Sequence, residues 1–476
     1  MADSPTSPPD PLLVWVLRFL TDAARRATRQ HRVADRLVGL TLAMLLTVGR
    51  HTLTRALVTA GWGQRDWSAA YRLFTHERID QDVLRQVLVA WLTAHLPHRA
   101  PLVVVLDGTQ LGRTSRKLVG VGWLKAPRTP PWKPGIHPAQ RWVGLSALLP
   151  ISAQGMSRTV PLWFQPAPTP TATPWPGHPP CPEWAAGLAA LGWLRATLDH
   201  LGQPRRRILA VADGSYGGAK VWMGLPRHVA LLVRCPKNRA LFALPVPEPP
   251  RRGRARCYGE RGPTPQAMLH HGRWATVPVQ VRGRTIPLRV RVTGPWLVKP
   301  APRQPLFLLV VRGIEHRRRG RLVRREPTCW LVSAVPDRDD IWTLPYPVAT
   351  LLGVAWQRWE VEVMHRELKS GFGLGQQQAW TPASASATIE WVVWSYAVIV
   401  LAGRAVWGSG RSPTRTAWYQ GRRWTPRDVV TALRQACWLV QGDPLRAILP
   451  GIGDDPGAKH RPPPRIRAAI QAAPRL

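Results

Sequence analysis

The rhythm of apolar and polar positions changes several times along this chain. From residue 12 to about 96, apolar residues recur at helical spacing, as in Leu13, Val16, Leu17 and Leu20 and again in Val83, Leu84, Val87, Leu88 and Trp91. Few glycines interrupt them, so four or five short helices are predicted. From Pro101 the texture becomes that of strands. Leu102-Val-Val-Val-Leu106 is a continuous apolar run, the mark of a central strand buried on both faces. Further strands are predicted over 142–151 and 158–164, and a helix over 183–201. Arg207-Ile-Leu-Ala-Val-Ala212 then repeats the first run, and another apolar strand spans 229–233. Between 238 and 342, alternating segments such as Val277-Pro-Val-Gln-Val-Arg282 and Leu288-Arg-Val-Arg-Val292 predict strands joined by Arg-Gly turns. Strands are also predicted over 306–311 and 328–334. After Pro347 the spacing is helical again to about 405, with one more helix near 427–440 and a Pro-rich end that reads as loose.

These changes divide the chain into an N-terminal helical domain over 1–99, an α/β core over 100–237 and 343–407, a β-rich insertion over 238–342 and a basic C-terminal region over 408–476. Charge adds to that picture. The 476 residues hold 66 Lys+Arg against 27 Asp+Glu, a net charge of +39. Such a chain repels itself unless it works beside a polyanion, which favours nucleic acid over an anionic membrane surface. Residues 12–96 carry 12 Arg against 6 acids, which suits DNA contacts and equally suits a helical domain packed on the rest. The five cysteines are scattered without a Cys-x-x-Cys pair, so a reducing compartment and no zinc module are expected. The longest apolar stretches, 37–49 and 391–403, are short for a bilayer, and no signal peptide is read at the start. A cytosolic protein without membrane contact is expected.

Acids are scarce enough that their placement is readable. Asp107 is the only acid between Asp82 and Glu183, and Asp213 the only one between Asp199 and Glu248. Each follows a predicted central strand and precedes a glycine. Carboxylates there project into the crevice where open α/β sheets place their ligands, although a single Asp after a strand more often caps a turn. A third acid comes from Trp356-Gln-Arg-Trp-Glu-Val-Glu-Val-Met-His-Arg-Glu-Leu-Lys369. Arg358, Glu362 and Lys369 stand at offsets of 0, 4 and 11, which fall within roughly 40° of one another on a helix. On its own, that face could be a surface ion-pair ladder. Together with Asp107 and Asp213 it suggests three oxygen ligands for a hard ion, Mg²⁺ or Mn²⁺. Two such ions about 3.5–4 Å apart support phosphoryl transfer at a phosphodiester.

These motifs resemble the DDE transposases of bacterial insertion sequences, in the group with a Tyr-x2-Arg-x3-Glu-x6-Lys signature. Arg358, Glu362 and Lys369 match its last three positions, and Arg358-Trp-x-Val-Glu362 resembles its usual Arg-Trp-x-Ile-Glu form. Asp107-Gly-Thr and Ala212-Asp-Gly-Ser-Tyr-Gly217 look like the surroundings of the first and second catalytic Asp. The likeness covers about 100 to 380. It implies an RNase H-like mixed sheet flanked by helices, interrupted by a β-rich insertion, with Asp107, Asp213 and Glu362 as catalytic metal ligands. Arg358, Lys369, Trp356 and Arg366 would contact DNA. The signature's Tyr falls on Ala355, so Trp356 either substitutes for it or that contact is lost.

The resemblance further implies transposon-end and target DNA as partners, a homodimer in the synaptic complex and a bacterial, nucleoid-associated location. Cleavage would leave a 3′-hydroxyl that attacks target DNA. The insertion, with Arg317-Arg-Arg319 and with Trp274 and Trp296 as stacking candidates, would hold the transposon end. Glu360 and Glu367 are rival acids, but neither has Arg four before and Lys seven after. His365 shares the active face and reads as a phosphate contact or core residue rather than a base. A metal-dependent nuclease that cuts without joining, and a non-catalytic relic, are the competing readings.

Overall fold

Helix α1 (Pro11–Ala27) begins where Asp10 accepts hydrogen bonds from the amides of Leu12 and Leu13, with Pro11 at the first helical position. It is followed by α2 (His31–Leu46), α3 (Leu53–Thr59), α4 (Ser68–Thr75) and α5 (Gln81–Ala94). The computed structural model describes residues 10–127, 129–130, 132–152, 155–246, 256–270, 272–318, 321–337, 339, 341–409 and 423–439.

The chain then enters a sheet. Strands β1 (Leu102–Gly112), β2 (Val121–Lys125), β3 (Ile136–Ser152) and β4 (Met156–Pro166) pair antiparallel, with β3 between β1 and β4 and also beside β2. Helix α6 (Glu183–His200) crosses over and returns the chain as β5 (Ile208–Ala212), parallel to β1. A short helix α7 (Ala219–Met223) leads to β6 (Val229–Cys235), parallel to β5. The order β4-β3-β1-β5-β6, three antiparallel strands followed by two parallel ones, is the RNase H-like mixed sheet.

Residues beyond β6 continue this sheet. Strands β7 (Ala275–Val281), β8 (Arg284–Val298) and β9 (Ala301–Val311) form an antiparallel meander. β10 (Ile314–Arg318) and β11 (Arg321–Arg325) make a separate two-stranded ribbon. Strand β12 (Thr328–Ser333) then inserts between β9 and β6, antiparallel to both. The result is one ten-stranded sheet among the described residues. The apolar run Leu306–Val311 is the reason: Leu306, Leu308, Leu309 and Val310 are fully buried, so this strand needs cover on both faces.

Helices α8 (Val348–Gln357), α9 (Trp359–Gly371), α10 (Pro382–Trp407) and α11 (Pro426–Leu439) complete the described chain. The helix-compatible stretch Trp356–Lys369 is therefore shared between two helices, divided at Arg358. Thr381 and Ser384 close a reciprocal capping box at the start of α10, with Pro382 in the first turn. α10 is the axis of the core. Trp391 donates its indole N–H to Thr41 of α2 at 2.9 Å and lies 5.1 Å from the ring of Phe74. Trp394 lies 5.9 Å from Phe19, and Glu390 forms a buried ion pair with Arg85 of α5. By length and composition α10 could cross a membrane, yet 83% of its most apolar window is buried inside the protein. Each fully buried Leu, Val or Phe contributes roughly 1.5–3 kcal/mol, so the N-terminal helices and the sheet share one core through α10.

Candidate active site

The ladder between β1 and β5 ends at the pair Leu106–Ala212. The next residue on each strand is an acid, Asp107 and Asp213, so the two stand at the same level on neighbouring parallel strands. Beyond this level the strands part. β5 stops, and the chain turns through Gly214–Tyr216, with Asp213 accepting from the amide of Ser215 at 2.9 Å and from its hydroxyl. β1 does not stop at Asp107 as its apolar pattern suggests; it runs on to Gly112 because β3 continues to pair with it. Asp107 thus lies inside a strand that has lost one neighbour, at the mouth of the crevice.

Helix α9 supplies the third acid. Arg358 sits at the joint between α8 and α9, and the amide of Val361 closes a tight turn onto its carbonyl at 3.0 Å. From that joint its guanidinium donates to Glu362 Oε1 at 2.9 Å and approaches Asp107 Oδ1 at 4.0 Å. One cation therefore spans two of the three acids. His365, on the same face, brings Nδ1 to 3.5 Å from Asp107 Oδ2. Burial, aided by Lys369, pushes its imidazole down to about 3, so His365 is neutral and acts as a dipole beside the carboxyl rather than as an ion-pair partner. Its Nε2 is buried and makes no hydrogen bond. Lys369 also reaches β1, where its ammonium donates to the carbonyl of Gln110 at 2.9 Å.

Burial raises Asp107 to about 7; Arg358 opposes the rise, while Asp213, Glu362 and Glu183 add to it. Two guanidinia stand among these acids, Arg358 beside Glu362 and Asp107 and Arg141 at 3.9 Å from Glu183. Glu183 is the member that the sequence did not single out. It opens α6, and a Cβ on Gly108 would come within 2.9 Å of its Oε2, so glycine after Asp107 makes room for this carboxylate. Only the crossover places it there, and its position after Pro182 at a helix start was the available signal. The phenol of Tyr216 is buried beneath the same group without a hydrogen-bond partner; burial and the neighbouring acids hold it well above its usual range. A cavity of about 370 Å³ lined by Arg141, Cys181, Glu183, Trp184 and Ser215 opens beside these acids.

The family assignment follows from the chain itself. Residues 18–294 match the sequence model described as DDE superfamily endonuclease. The chain belongs to the DDE superfamily of endonucleases. The matched span of this endonuclease includes Asp107 and Asp213 and ends before Glu362. No curated protein matches it. A solved structure, the piggyBac transposase synaptic complex with hairpin DNA, is similar at a TM-score of 0.35 and 10% identity, over 94% of this chain and 86% of that one. So low a likeness adds nothing to the site.

The remaining candidates divide. Arg366 is exposed on α9. Trp356 is half-buried, and Arg325 of β11 covers its ring at 5.0 Å. Ala355, in the signature's Tyr position, is buried. In the β-rich insertion, Arg291 covers Trp274 at 4.8 Å, while Trp296 packs under Gly262 and donates to Thr293 at 3.1 Å, so neither presents a bare ring. Arg317 and Arg318 lie on β10, and Arg319 falls outside the described residues. Glu360 is buried between Arg282 and Arg423, each at 3.4 Å, and Glu367 accepts from the Tyr396 hydroxyl at 2.6 Å.

For a divalent ion the donor chemistry fits. Asp107, Asp213 and Glu362 offer only carboxylate oxygens, which suit Mg²⁺ or Mn²⁺. As arranged, with Arg358 between two of the acids, no three acid or imidazole side chains among the described residues close around one ion.

Proposed function

We propose that this endonuclease is a DNA transposase that cuts the ends of an insertion sequence and joins the freed 3′-hydroxyl to target DNA. The observation that carries the reading is the meeting of Asp107 and Asp213, level on parallel strands, with Glu362 through Arg358. Asp107, Asp213 and Glu362 would hold two Mg²⁺ or Mn²⁺ ions, whose chemistry when bound is to activate the attacking oxygen and stabilise the leaving one.

The chain's own residues do the rest. Arg358 restrains Glu362 and Asp107, and is a fork suited to a phosphodiester once those acids take up metal. Neutral His365 fixes the Asp107 carboxyl from behind. Lys369 and exposed Arg366 extend the cationic face along α9, where a backbone phosphate would follow it. Concentrated negative charge needs such flanking cations if a polyanion is to approach. DNA ends and target DNA are the partners in this reading, with a homodimer as the working assembly and a bacterial cytoplasm as the setting.

The test is a cleavage assay on DNA flanking the coding region, with Mg²⁺ or Mn²⁺ and with Glu362→Ala as control. Metal-dependent nicks at inverted repeats, with 3′-hydroxyls that join to a plasmid, are expected from the unaltered protein and none from the variant. Cuts without joining would make it a nuclease. Full cleavage by Glu362→Ala would sink the site assignment.

A further inference from the structure

Away from the acids, a cleft runs between the N-terminal helices and the segment joining α9 to α10. It has two compartments, which share Thr75 at the end of α4 and Thr381 at the start of α10. The smaller, about 700 Å³, is bordered by Trp380, Tyr71, Arg50, Arg55 and Gln378. Trp380 is 69% exposed and Tyr71 39%. These are large rings left in water, and neither is covered by a cation as Trp274 and Trp356 are. The Tyr71 hydroxyl shares a hydrogen bond with Thr54 at 2.8 Å, which holds its ring at the wall. Arg50 and Arg55 are exposed, and neither guanidinium meets an acid among the described residues.

The larger compartment, about 1210 Å³, carries Arg29, Arg32 and Arg78 on its walls. Cations crowd there: burial first, then Arg32 and Arg78, hold the guanidinium of Arg36 below its usual range. Glu77 and Asp80 line the same space, but Asp80 is engaged as the cap of α5, accepting from the amides of Asp82 and Val83 at 3.0 Å. The wall is tied to the catalytic strand. Arg113, the residue after β1, donates to the carbonyl of Gly375 at 2.9 Å, and Gln377 donates to the carbonyl of His51 at 2.9 Å.

Exposed rings beside unpaired guanidinia match the chemistry of an unpaired nucleotide. Its base has a face to stack, and its phosphates accept the Arg fork. A duplex keeps its bases in its own stack and would leave both rings in water. We infer that this cleft binds a single-stranded stretch of DNA, with a base stacked in the Trp380–Tyr71 compartment and phosphates running over Arg50 and Arg55 toward Arg29, Arg32 and Arg78. The inference rests on the DNA-cleaving reading above and adds to it a place for a strand unpaired near the cut.

The experiment measures fluorescence anisotropy of one labelled oligonucleotide, as a single strand and as a duplex, with the full chain in EDTA. Trp380→Ala is expected to weaken single-strand binding about tenfold or more and to leave duplex binding within about twofold. Trp380→Phe, which keeps a ring, is expected to restore most of the loss. Arg50→Ala with Arg55→Ala is expected to flatten the salt dependence for the single strand. Unchanged single-strand affinity in Trp380→Ala, or equal losses for both forms, would overturn the inference. Binding of duplex but not single strand by the unaltered protein would overturn the cleft alone. Binding of neither would overturn the DNA-cleaving reading and the cleft with it.

Discussion

The two sides of helix α9 use the same residue type in opposite ways. On one side Glu360 is buried between Arg282 and Arg423, and Glu367 accepts from the Tyr396 hydroxyl at 2.6 Å. These acids are partnered within the fold. On the other side Glu362 shares one guanidinium with Asp107, while Asp213 and Glu183 raise the local negative charge further. A structural acid has its charge or its lone pairs answered by neighbours. In the proposed function, Glu362 and Asp107 would exchange their shared guanidinium for an external cation or a substrate.

That contrast can be broken by exchanging which acid is neutralised. Glu362→Gln is expected to lower DNA cleavage roughly a thousandfold or more, since several kcal/mol of transition-state charge stabilisation are lost at about 1.4 kcal/mol per decade. Its thermal unfolding midpoint should stay close to that of the unaltered chain. Cleavage within tenfold of normal would end the distinction between the two sides.

Glu360→Gln should do the reverse. It leaves two cations facing a neutral amide, and the expected loss of stability is about 1–3 kcal/mol, below the range for fully buried pairs because Arg282 and Arg423 are partly solvated. A lower unfolding midpoint with unchanged activity per folded molecule supports the contrast; the opposite pattern refutes it.

The smallest effect is in pH. Asp107 is raised to about 7 when folded, above its unfolded value near 4. The folded state therefore binds the extra proton, and stability is lost as pH rises from about 4 through 7. In metal-free buffer, Asp107→Asn should melt above the unaltered protein at pH 8 and together with it near pH 4. A difference that grew on acidification would show that Asp107 is paired, not under-compensated.

Much of this was legible in the residues because chain-local periodicity encodes local structure. Five helical segments were expected as four or five, and the strands near 102–106, 142–151, 158–164 and 229–233 all form. Where the reading stopped short, the missing information was non-local. The apolar run before Asp107 gave no sign that β3 would carry the strand on to Gly112, because pairing partners lie elsewhere in the chain. Nor could helical spacing show the joint at Arg358. The strands over 238–342 were expected to stand apart, yet β12 bonds to β6 and fuses them into the main sheet.

By itself the sequence determined the kind of chemistry available: a strongly cationic chain, two isolated Asp after apolar strands, and a Glu set between Arg and Lys at helical spacing. Those are properties of composition and short-range order, which any observer of the chain can count. Only the tertiary structure decided which acids share one space. The parallel register of β1 and β5 levels Asp107 with Asp213, the crossover brings Glu183 over Gly108, and the packing of α9 sets Glu362 beside Arg358 and Asp107 while Glu360 and Glu367 are answered elsewhere. Charge compensation depends on distances of a few ångströms between residues far apart in the chain, and those distances exist only once the sheet has closed.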